Sequence, residues 1–161
     1  MALAFAHPRA AAHPALFGSL LLAFLMGTAA PVAAADTEVG RVVSVARNQI
    51  GDPWVWGKIG PDQFDCVGLV YYSFRQAGLD HRIGGWRGVK GYRDWFADRG
   101  RVSRSYGRRG DLVIWGDNQH IGIYLGRGRA ISALTSGVKI HDLHGLSIGF
   151  STFLRVRLDR G

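Results

Sequence analysis

The chain contains one cysteine, Cys66, at the front of the apolar stretch "FDCVGLVYYSFRQAG" over residues 64–78. A thiol in the first turn of a helix faces unpaired backbone amides and the positive end of the helix dipole, which lower its pKa and favour the nucleophilic thiolate. A free cysteine is also among the most commonly buried residue types. Cys66 is therefore either an activated nucleophile or a filler of the core, and a nearby base would favour the first.

The candidate base is His120, one of six histidines in the chain. It opens the segment "HIGIYLG" directly after a turn, so its ring is expected at the rim of a sheet. Side-chain alternation sends Ile121 and Ile123 to the opposite face, toward the core. A histidine at a strand start is also commonly a polar edge residue, so the residues alone leave both roles open.

An imidazole base needs a partner that orients it, and hairpin register selects the candidates. If the chain turns back at "GRG" after this segment, even positions face even positions, and Ser132 lies beside or diagonal to His120. A second turn centred on Ser136 then places Asp142 on the same face and directs His141 away, barring a bulge. The pattern predicts Ser132 as the first candidate and Asp142 as the second.

Helical elements are predicted before residue 100. Apolar residues recur at helical spacing over residues 37–50, behind a threonine that can cap the start. A second helix is predicted to begin at Cys66, with Asp65 as its N-cap and Gly78 just past its end. A short helix is expected within residues 88–98. The cysteine would thus stand at the first turn of the second helix.

Strand-like runs follow from Gly110 onward. They are "DLVIWG", "HIGIYLG", "RAISAL", "VKIHDL" and "FLRVRL", separated by turn residues. Helices first and an antiparallel sheet of about five strands afterwards make an α+β arrangement.

The first 35 residues have the layout of a secretory signal. An uninterrupted apolar run of 12 residues, Ala15 to Met26, is short for a membrane span, and an Ala33-x-Ala35 cleavage site follows it. We expect residues 1–35 to be removed, leaving one exported domain of residues 36–161 without a membrane span. A leader retained as an anchor is the alternative.

The composition indicates which kinds of partner and cofactor the protein could bind. The net charge of +8 favours loose attraction to polyanions such as an acidic cell envelope. The arginines of "GRVSRSYGRRG" are spread among glycines and other residues and form no continuous basic block, so no nucleic-acid partner is expected. No Cys/His cluster has metal-ligand spacing and no Gly-rich phosphate loop follows a strand, so neither a metal nor another cofactor is expected.

Two blocks resemble the NlpC-type cell-wall cysteine peptidases, a bacterial papain-like group. They are "ARNQIGDPWVWGKIGPDQFDCVGLVYYSFRQAGL" and "RRGDLVIWGDNQHIGIYLGRGRAISA", which with the intervening loop span residues 45–133. The resemblance implies a papain-like α+β fold, a thiolate at Cys66 and a general base and acid at His120. It implies hydrolysis of peptidoglycan stem peptides, commonly at the bond between D-glutamate and a diamino acid, by a monomeric protein of the bacterial envelope or exterior.

Three positions depart from the family pattern. Ser132 stands where a second histidine or another polar side chain usually holds the imidazole, Trp54 where a tyrosine is usual, and Val67 where a serine follows the cysteine. The resemblance thus implies a catalytic set of Cys66, His120 and Ser132. The oxyanion and substrate positions would be Trp54, Val67 and Asp65, although the position of Asp65 favours its role as an N-cap. The alternatives are a degenerate wall-binding domain, or a Cys/His amidase or acyltransferase of the same architecture.

Overall fold

The structure is a computed structural model that describes residues 37–161. Its helices are α1 (Glu38–Asn48), α2 (Cys66–Gln76), a 3₁₀ helix (Asp80–Ile83) and α3 (Val89–Ala97). Its strands are β1 (Val102–Ser103), β2 (Leu112–Trp115), β3 (His120–Gly126), β4 (Arg129–Leu134), β5 (Gly137–Asp142) and β6 (Phe150–Leu154). The expected leader of residues 1–35 lies outside the described residues.

Side-chain caps start the first two helices where the sequence predicts them. The Thr37 hydroxyl accepts the Gly40 N–H at 3.0 Å ahead of α1, and the Asp65 carboxylate accepts the Gly68 N–H at 2.6 Å ahead of α2. Each bond satisfies an N–H that the helix itself leaves unpaired. Gly78, in the left-handed region at φ 73°, follows the end of α2 as expected.

The sheet is antiparallel, with the strand order β1-β6-β2-β3-β4-β5. The predicted α+β arrangement is confirmed, with six strands instead of about five. The additional strand, β1, has two residues, too few to leave an alternating pattern. The last strand occupies residues 150–154, whereas the pattern placed it at 153–158. The alternating apolar pattern continues past the end of the strand because Val156 and Leu158 are buried, although they lie outside the sheet.

The two faces of the sheet bury different sets of side chains. Helices α1 and α2 pack against each other, and α2 packs on β3 and β4. The helix-facing side contributes Leu112, Ile114, Ile121, Ile123 and Ile131 to the main core. On the other side Val113, Trp115, Ala130 and Phe153 form a second cluster with Leu143. Within residues 37–161, no helix has the length and apolar character needed to cross a membrane.

Candidate active site

Helix α2 carries Cys66 to the beginning of β3. Half-buried Cys66 is the first residue of the helix, and the backbone N–H of Ile121 lies close enough to its sulfur to favour the thiolate form. Ile121 directly follows His120 in β3. The structure thus brings the cysteine helix and the start of the histidine strand together, as the sequence predicts.

The pKa of the Cys66 thiol is raised, which corrects the expectation of a lowered one. Burial of the sulfur is the main cause, and the negative charge of Asp65 adds to it. The N–H groups of Ile121, Val67 and Cys66 itself act in the opposite direction, but they do not outweigh burial. Helix position alone predicted the thiolate because the sequence pattern carries no measure of how far the sulfur is removed from water.

The imidazole of His120 is hydrogen-bonded and buried at the rim of the sheet. Its Nε2 lies 2.9 Å from the hydroxyl oxygen of Ser132, the first predicted partner. Burial, together with the neighbouring His141, lowers the pKa of His120 to about 4. The ring is therefore neutral at pH 7, and so is the thiol. The resting site therefore contains a neutral thiol and a neutral imidazole, in place of the expected thiolate at Cys66.

Ser132 connects His120 to a second imidazole. The Ser132 hydroxyl is fully buried and lies 2.9 Å from Nε2 of His141. Nδ1 of His141 lies 3.0 Å from the backbone carbonyl oxygen of Asp142. His141 is thus part of the site, although the sequence pattern directed it away. The carboxylate of Asp142, the second candidate, is exposed and pairs with Arg129 at 3.5 Å.

The β4–β5 register explains this correction. Ser132 pairs with Lys139, and Leu134 with Gly137, so the connecting turn contains only Thr135 and Ser136. The predicted turn centred on Ser136 would pair Ser132 with Ile140, one residue away from the observed register. A one-residue shift exchanges the two faces of a strand, so residue 141 comes to the site and the side chain of residue 142 leaves it.

The hydrogen-bond partners determine the positions of the protons. A carbonyl oxygen only accepts, so Nδ1 of His141 carries its proton, and Nε2 of the neutral ring is an acceptor. The Ser132 hydroxyl donates to that nitrogen and accepts the Nε2–H of His120. The neutral His120 ring then has its lone pair on Nδ1. The Asp142 carbonyl therefore sets, through two side chains, which nitrogen of His120 is basic.

Neighbouring residues define the space around the imidazoles. The fully buried Trp115 ring lies 5.5 Å from the His120 ring and 5.2 Å from the His141 ring, between centroids. Its indole N–H donates to the Leu143 carbonyl at 2.7 Å. At Gly122, a Cβ would lie 2.9 Å from the Cβ of Ser132, so glycine leaves room for the hydroxyl. Trp115 was missed because a tryptophan in a buried strand carries no local motif, whereas His141 was directed away by the assumed register.

The remaining predicted site residues have different positions. Trp54 forms a single bridge with Phe64, two residues before Cys66, and is partly buried. Both carboxylate oxygens of Asp65 accept backbone N–H groups, so Asp65 caps the helix and has no role as an oxyanion donor. The Val67 side chain is buried in the main core, and only its N–H turns toward the sulfur. Among residues 37–161, no three His, Cys, Asp or Glu side chains cluster to hold a metal ion.

Comparison with known proteins connects this arrangement to a family. The model described as the NlpC/P60 family matches residues 51–149, which include the Cys66 helix and the strands with His120, Ser132 and His141. The chain belongs to the NlpC/P60 family. Its sequence is 36% identical over 103 residues to "Probable endopeptidase p60" of Listeria grayi, and 34% identical over 112 residues to the protein of that name in Listeria monocytogenes.

The match covers 62% of this NlpC/P60 chain and 19% of the Listeria grayi protein, and 67% of the chain and 22% of the Listeria monocytogenes protein. The chain therefore spans about a fifth of the length of these relatives.

Solved structures support the same relationship. The NlpC/p60 domain of the peptidoglycan hydrolase SagA is 31% identical with a TM-score of 0.58, covering 72% of this chain and 97% of that one. The peptidoglycan hydrolase RipB from Mycobacterium tuberculosis is 29% identical with a TM-score of 0.58, covering 80% and 68%. RipD of the same organism, described as a non-catalytic NlpC/p60 domain protein, shares the fold at 24% identity and a TM-score of 0.55, covering 74% and 96%. The papain-like α+β fold is confirmed.

Proposed function

We propose that this NlpC/P60 chain is a cysteine peptidase that hydrolyses amide bonds in peptidoglycan stem peptides, at the bond between D-glutamate and a diamino acid. One observation carries the proposal. The Cys66 sulfur lies close to Ile121, which directly follows His120, and Ser132 and His141 fix which nitrogen of His120 is basic. The relatives named endopeptidase and peptidoglycan hydrolase support the reaction class. The bond itself rests on the family resemblance.

The first half of the reaction begins from the neutral pair. As the sulfur of Cys66 attacks the amide carbon, Nδ1 of His120 takes the thiol proton. The negative charge that develops on the carbonyl oxygen is held by the N–H of Cys66 at the helix start and by the indole N–H of Trp54. The C–N bond then breaks, and His120 delivers its proton to the leaving amine. A thioester to Cys66 remains.

The second half returns the enzyme to its starting state. Water attacks the thioester carbon while His120 accepts one of its protons, and the sulfur leaves and is protonated again. The imidazolium is formed transiently in both halves. Because burial disfavours this cation, it readily gives its proton to the amine or to the sulfur. Ser132 and His141 keep the ring in the required tautomer throughout.

The proposal includes the setting in which the chain works. Removal of residues 1–35 during export would leave a monomeric domain in the bacterial envelope or outside the cell. The excess of positive charge fits an anionic wall.

The test is incubation of the purified full chain with peptidoglycan fragments, followed by mass spectrometry of the new termini. We expect a free D-glutamyl carboxylate and a free amine on the diamino acid. Cys66→Ala and His120→Ala should each release no product, while Arg47→Gln on the exposed side of α1 serves as a control with native turnover. Cleavage between sugar and peptide would indicate an amidase, and transfer of the acyl group to an added amine an acyltransferase.

A wall-binding domain without catalysis is the second candidate, because the thiol pKa is raised and Ser132 replaces the usual imidazole. It predicts that the native chain sediments with wall material and that native and Cys66→Ala proteins release equal, background amounts of product. Product released by the native chain alone would exclude it.

A further inference from the structure

A concave region lies at the end of the sheet remote from His120. Strand β6 begins at Phe150, which pairs with Trp115, the partner of His120, and it ends at Leu154, which pairs with Leu112 at the other end of β2. The segment after Leu154 lines a cavity of about 530 Å³. This volume lies within the range of roughly 300–1,000 Å³ that is typical of small-molecule sites.

The cavity is strongly basic. Seven arginines and three carboxylates contribute to its wall, an excess of four positive charges. Two of the arginines are neutralised locally: Arg82 pairs with Glu38 at 2.8 Å, and Arg160 pairs with the buried Asp111 at 3.2 Å. The five others, which we call the free arginines, are Arg99, Arg101, Arg108, Arg155 and Arg157. None of them forms an ion pair within residues 37–161.

Four of the five free arginines lie against aromatic rings instead of carboxylates. The Arg99 guanidinium lies 4.1 Å from the centroid of the Trp95 ring, and Arg101 lies 5.8 Å from the same ring. Arg155 lies 5.5 Å from the centroid of the Tyr106 ring. Stacking on a ring fixes the plane of a guanidinium and leaves its N–H groups available at the edge. Arg99 and Arg108 each use one N–H as well, on the Trp95 carbonyl at 2.8 Å and on the Tyr106 hydroxyl at 3.2 Å. The other N–H groups of these guanidiniums are available to a ligand.

Arg101 is the clearest case of an unused donor. Its Nε is buried and has no hydrogen-bond partner in the part of the chain that the structure describes. Burial and the positive charges of Arg157 and Arg99 lower its pKa. Like charges that approach each other without a counter-charge destabilise the folded protein, and a buried donor without an acceptor adds to this cost. An anion in the cavity would relieve both.

We propose that this arginine cavity binds a phosphate group, carried by a soluble diphosphate or phosphate ester or by a lipid headgroup. A carboxylate has one charge and two oxygens in one plane, which a single guanidinium can satisfy. A phosphate group has three oxygens in a tetrahedral arrangement and up to two charges, so guanidiniums that enter from different directions can share it. Arg101 precedes β1, whereas Arg155 and Arg157 follow β6, so the free arginines reach the cavity from two strand ends.

The site is independent of the proposed peptidase reaction. It lies at the other end of β2 and β6 from the thiol and the imidazoles, so a ligand bound there leaves the peptide site open. Such a site would hold the protein near phosphate-bearing material while the other end of the sheet works on the substrate.

The first experiment measures the melting temperature of the full chain with inorganic diphosphate, against sulfate and chloride at equal ionic strength. At about 100 times Kd, we expect diphosphate to raise Tm by about 5–10 °C more than the other anions. The double variant Arg101→Gln/Arg157→Gln should lose this shift. The matched control, Arg47→Gln/Arg104→Gln, removes two exposed charges outside the cavity and should keep it.

Two further measurements separate binding from a structural role. Without ligand, the Arg101→Gln/Arg157→Gln variant should melt no lower than the native chain, because it relieves repulsion between like charges. In the native chain, a ¹⁵N NMR titration with diphosphate should shift amides near Arg101 and Arg155–Arg157, and leave those of Cys66 and His120 unchanged. Equal Tm shifts with sulfate and diphosphate, equal shifts in both double variants, or NMR changes centred on the thiol would overturn the proposal.

Vesicles distinguish the source of the phosphate group. Sedimentation with phosphatidylglycerol vesicles but not phosphatidylcholine vesicles, lost in Arg101→Gln/Arg157→Gln and reversed by diphosphate, identifies a lipid headgroup. A diphosphate shift without vesicle binding identifies a soluble ligand. Vesicle binding that the double variant retains, with no diphosphate shift, would contradict the site.

Discussion

A thiol and an imidazole that are both neutral at pH 7 must exchange a proton during the attack itself. At Cys66 the helix N-terminus is present, yet removal of the sulfur from water dominates the pKa. At His120, burial and the second imidazole both lower the pKa. The proposed reaction therefore starts from a neutral imidazole that acts as a general base, and not from a preformed thiolate.

Alkylation of Cys66 by iodoacetamide tests the resting state. Because the thiol pKa is raised, we expect the rate at pH 6 to be below that of a free thiol, and the midpoint of the rate profile to lie above the usual value of about 8.5. The measurement is the rate of mass increase between pH 5 and 10, with the chain unfolded in urea as the control. A faster reaction than the control at pH 6 would contradict the raised thiol pKa and would indicate a thiolate at Cys66 in the folded chain.

His141→Ala tests the second imidazole. Removing it lets water reach the site and takes away a group whose charge, when protonated, opposes protonation of His120, so the pKa of His120 should rise from about 4 toward its ordinary 6.5. The acid limb of kcat/KM should move upward with it, and kcat should fall roughly tenfold, as expected when one buried hydrogen bond is lost.

The control is His144→Ala, because His144 is an exposed histidine whose ring packs edge-on against Phe150, 5.5 Å between centroids. It should leave both the acid limb and kcat unchanged. NMR titration of the His120 ring gives the pKa directly. An acid limb near pH 6.5 in the native chain, or the same acid limb in His141→Ala and His144→Ala, would show that His141 does not lower the pKa of His120.

At the scale of elements, the helices were predictable and the face of one strand was not. Thr37 and Asp65 are local signals, and each caps its helix in the structure. The side that His141 faces depends on whether the β4–β5 turn has two residues or three, which differ little in the sequence "TSG". Hairpin parity still identified Ser132, because the turn between β3 and β4 was placed within its correct range.

Gly122 shows how closely β3 and β4 approach at the site. A Cβ there would lie 2.6 Å from the Ile131 carbonyl oxygen, a backbone atom of the neighbouring strand that cannot move alone. We expect Gly122→Ala to lower the free energy of unfolding by about 1–3 kcal/mol through overpacking, and to reduce activity by displacing Ser132. Urea unfolding and kcat measure the two effects.

Gly91→Ala is the matched control. Gly91 lies in α3, and a Cβ there would make only an ordinary contact at 3.4 Å with the side chain of Arg87. Alanine in a helix interior should raise the free energy of unfolding by about 0.5–1 kcal/mol without changing kcat. If both alanine variants were stabilised, the close approach at Gly122 would be wrong.

At the scale of the whole molecule, the sheet separates two kinds of chemistry. Neutral, buried imidazoles lie at one end of the strands, and the free arginines, which have no carboxylate partner among residues 37–161, lie beyond the other end. The sequence contained the charge excess, but its concentration at one end could not be predicted. It depends on Arg101 and Arg155 meeting across the β1–β6 pair, where the Arg155 N–H donates to the Arg101 carbonyl at 2.8 Å.

The buried imidazoles also make the stability of the whole fold depend on pH. His120 and His141 both have lowered pKa values, so the unfolded chain binds more protons than the folded one below pH 6.5. The stabilisation is fully present above pH 6.5 and is lost as the pH falls toward about 4. For His120 alone the loss is on the order of 3 kcal/mol.

Urea unfolding at pH 7.5, 6.5 and 5.5 isolates this effect. Glu38, with a lowered pKa, contributes mainly below its ordinary value of 4.5, and Asp111, with a raised pKa, would stabilise the fold as the pH falls. In the interval from 7.5 to 5.5, we therefore expect stability to decrease because the imidazoles dominate. His120→Gln/His141→Gln should flatten the dependence. A slope of the same size in this double variant, or native stability that rises toward pH 5.5, would mean that the fold does not keep these rings neutral.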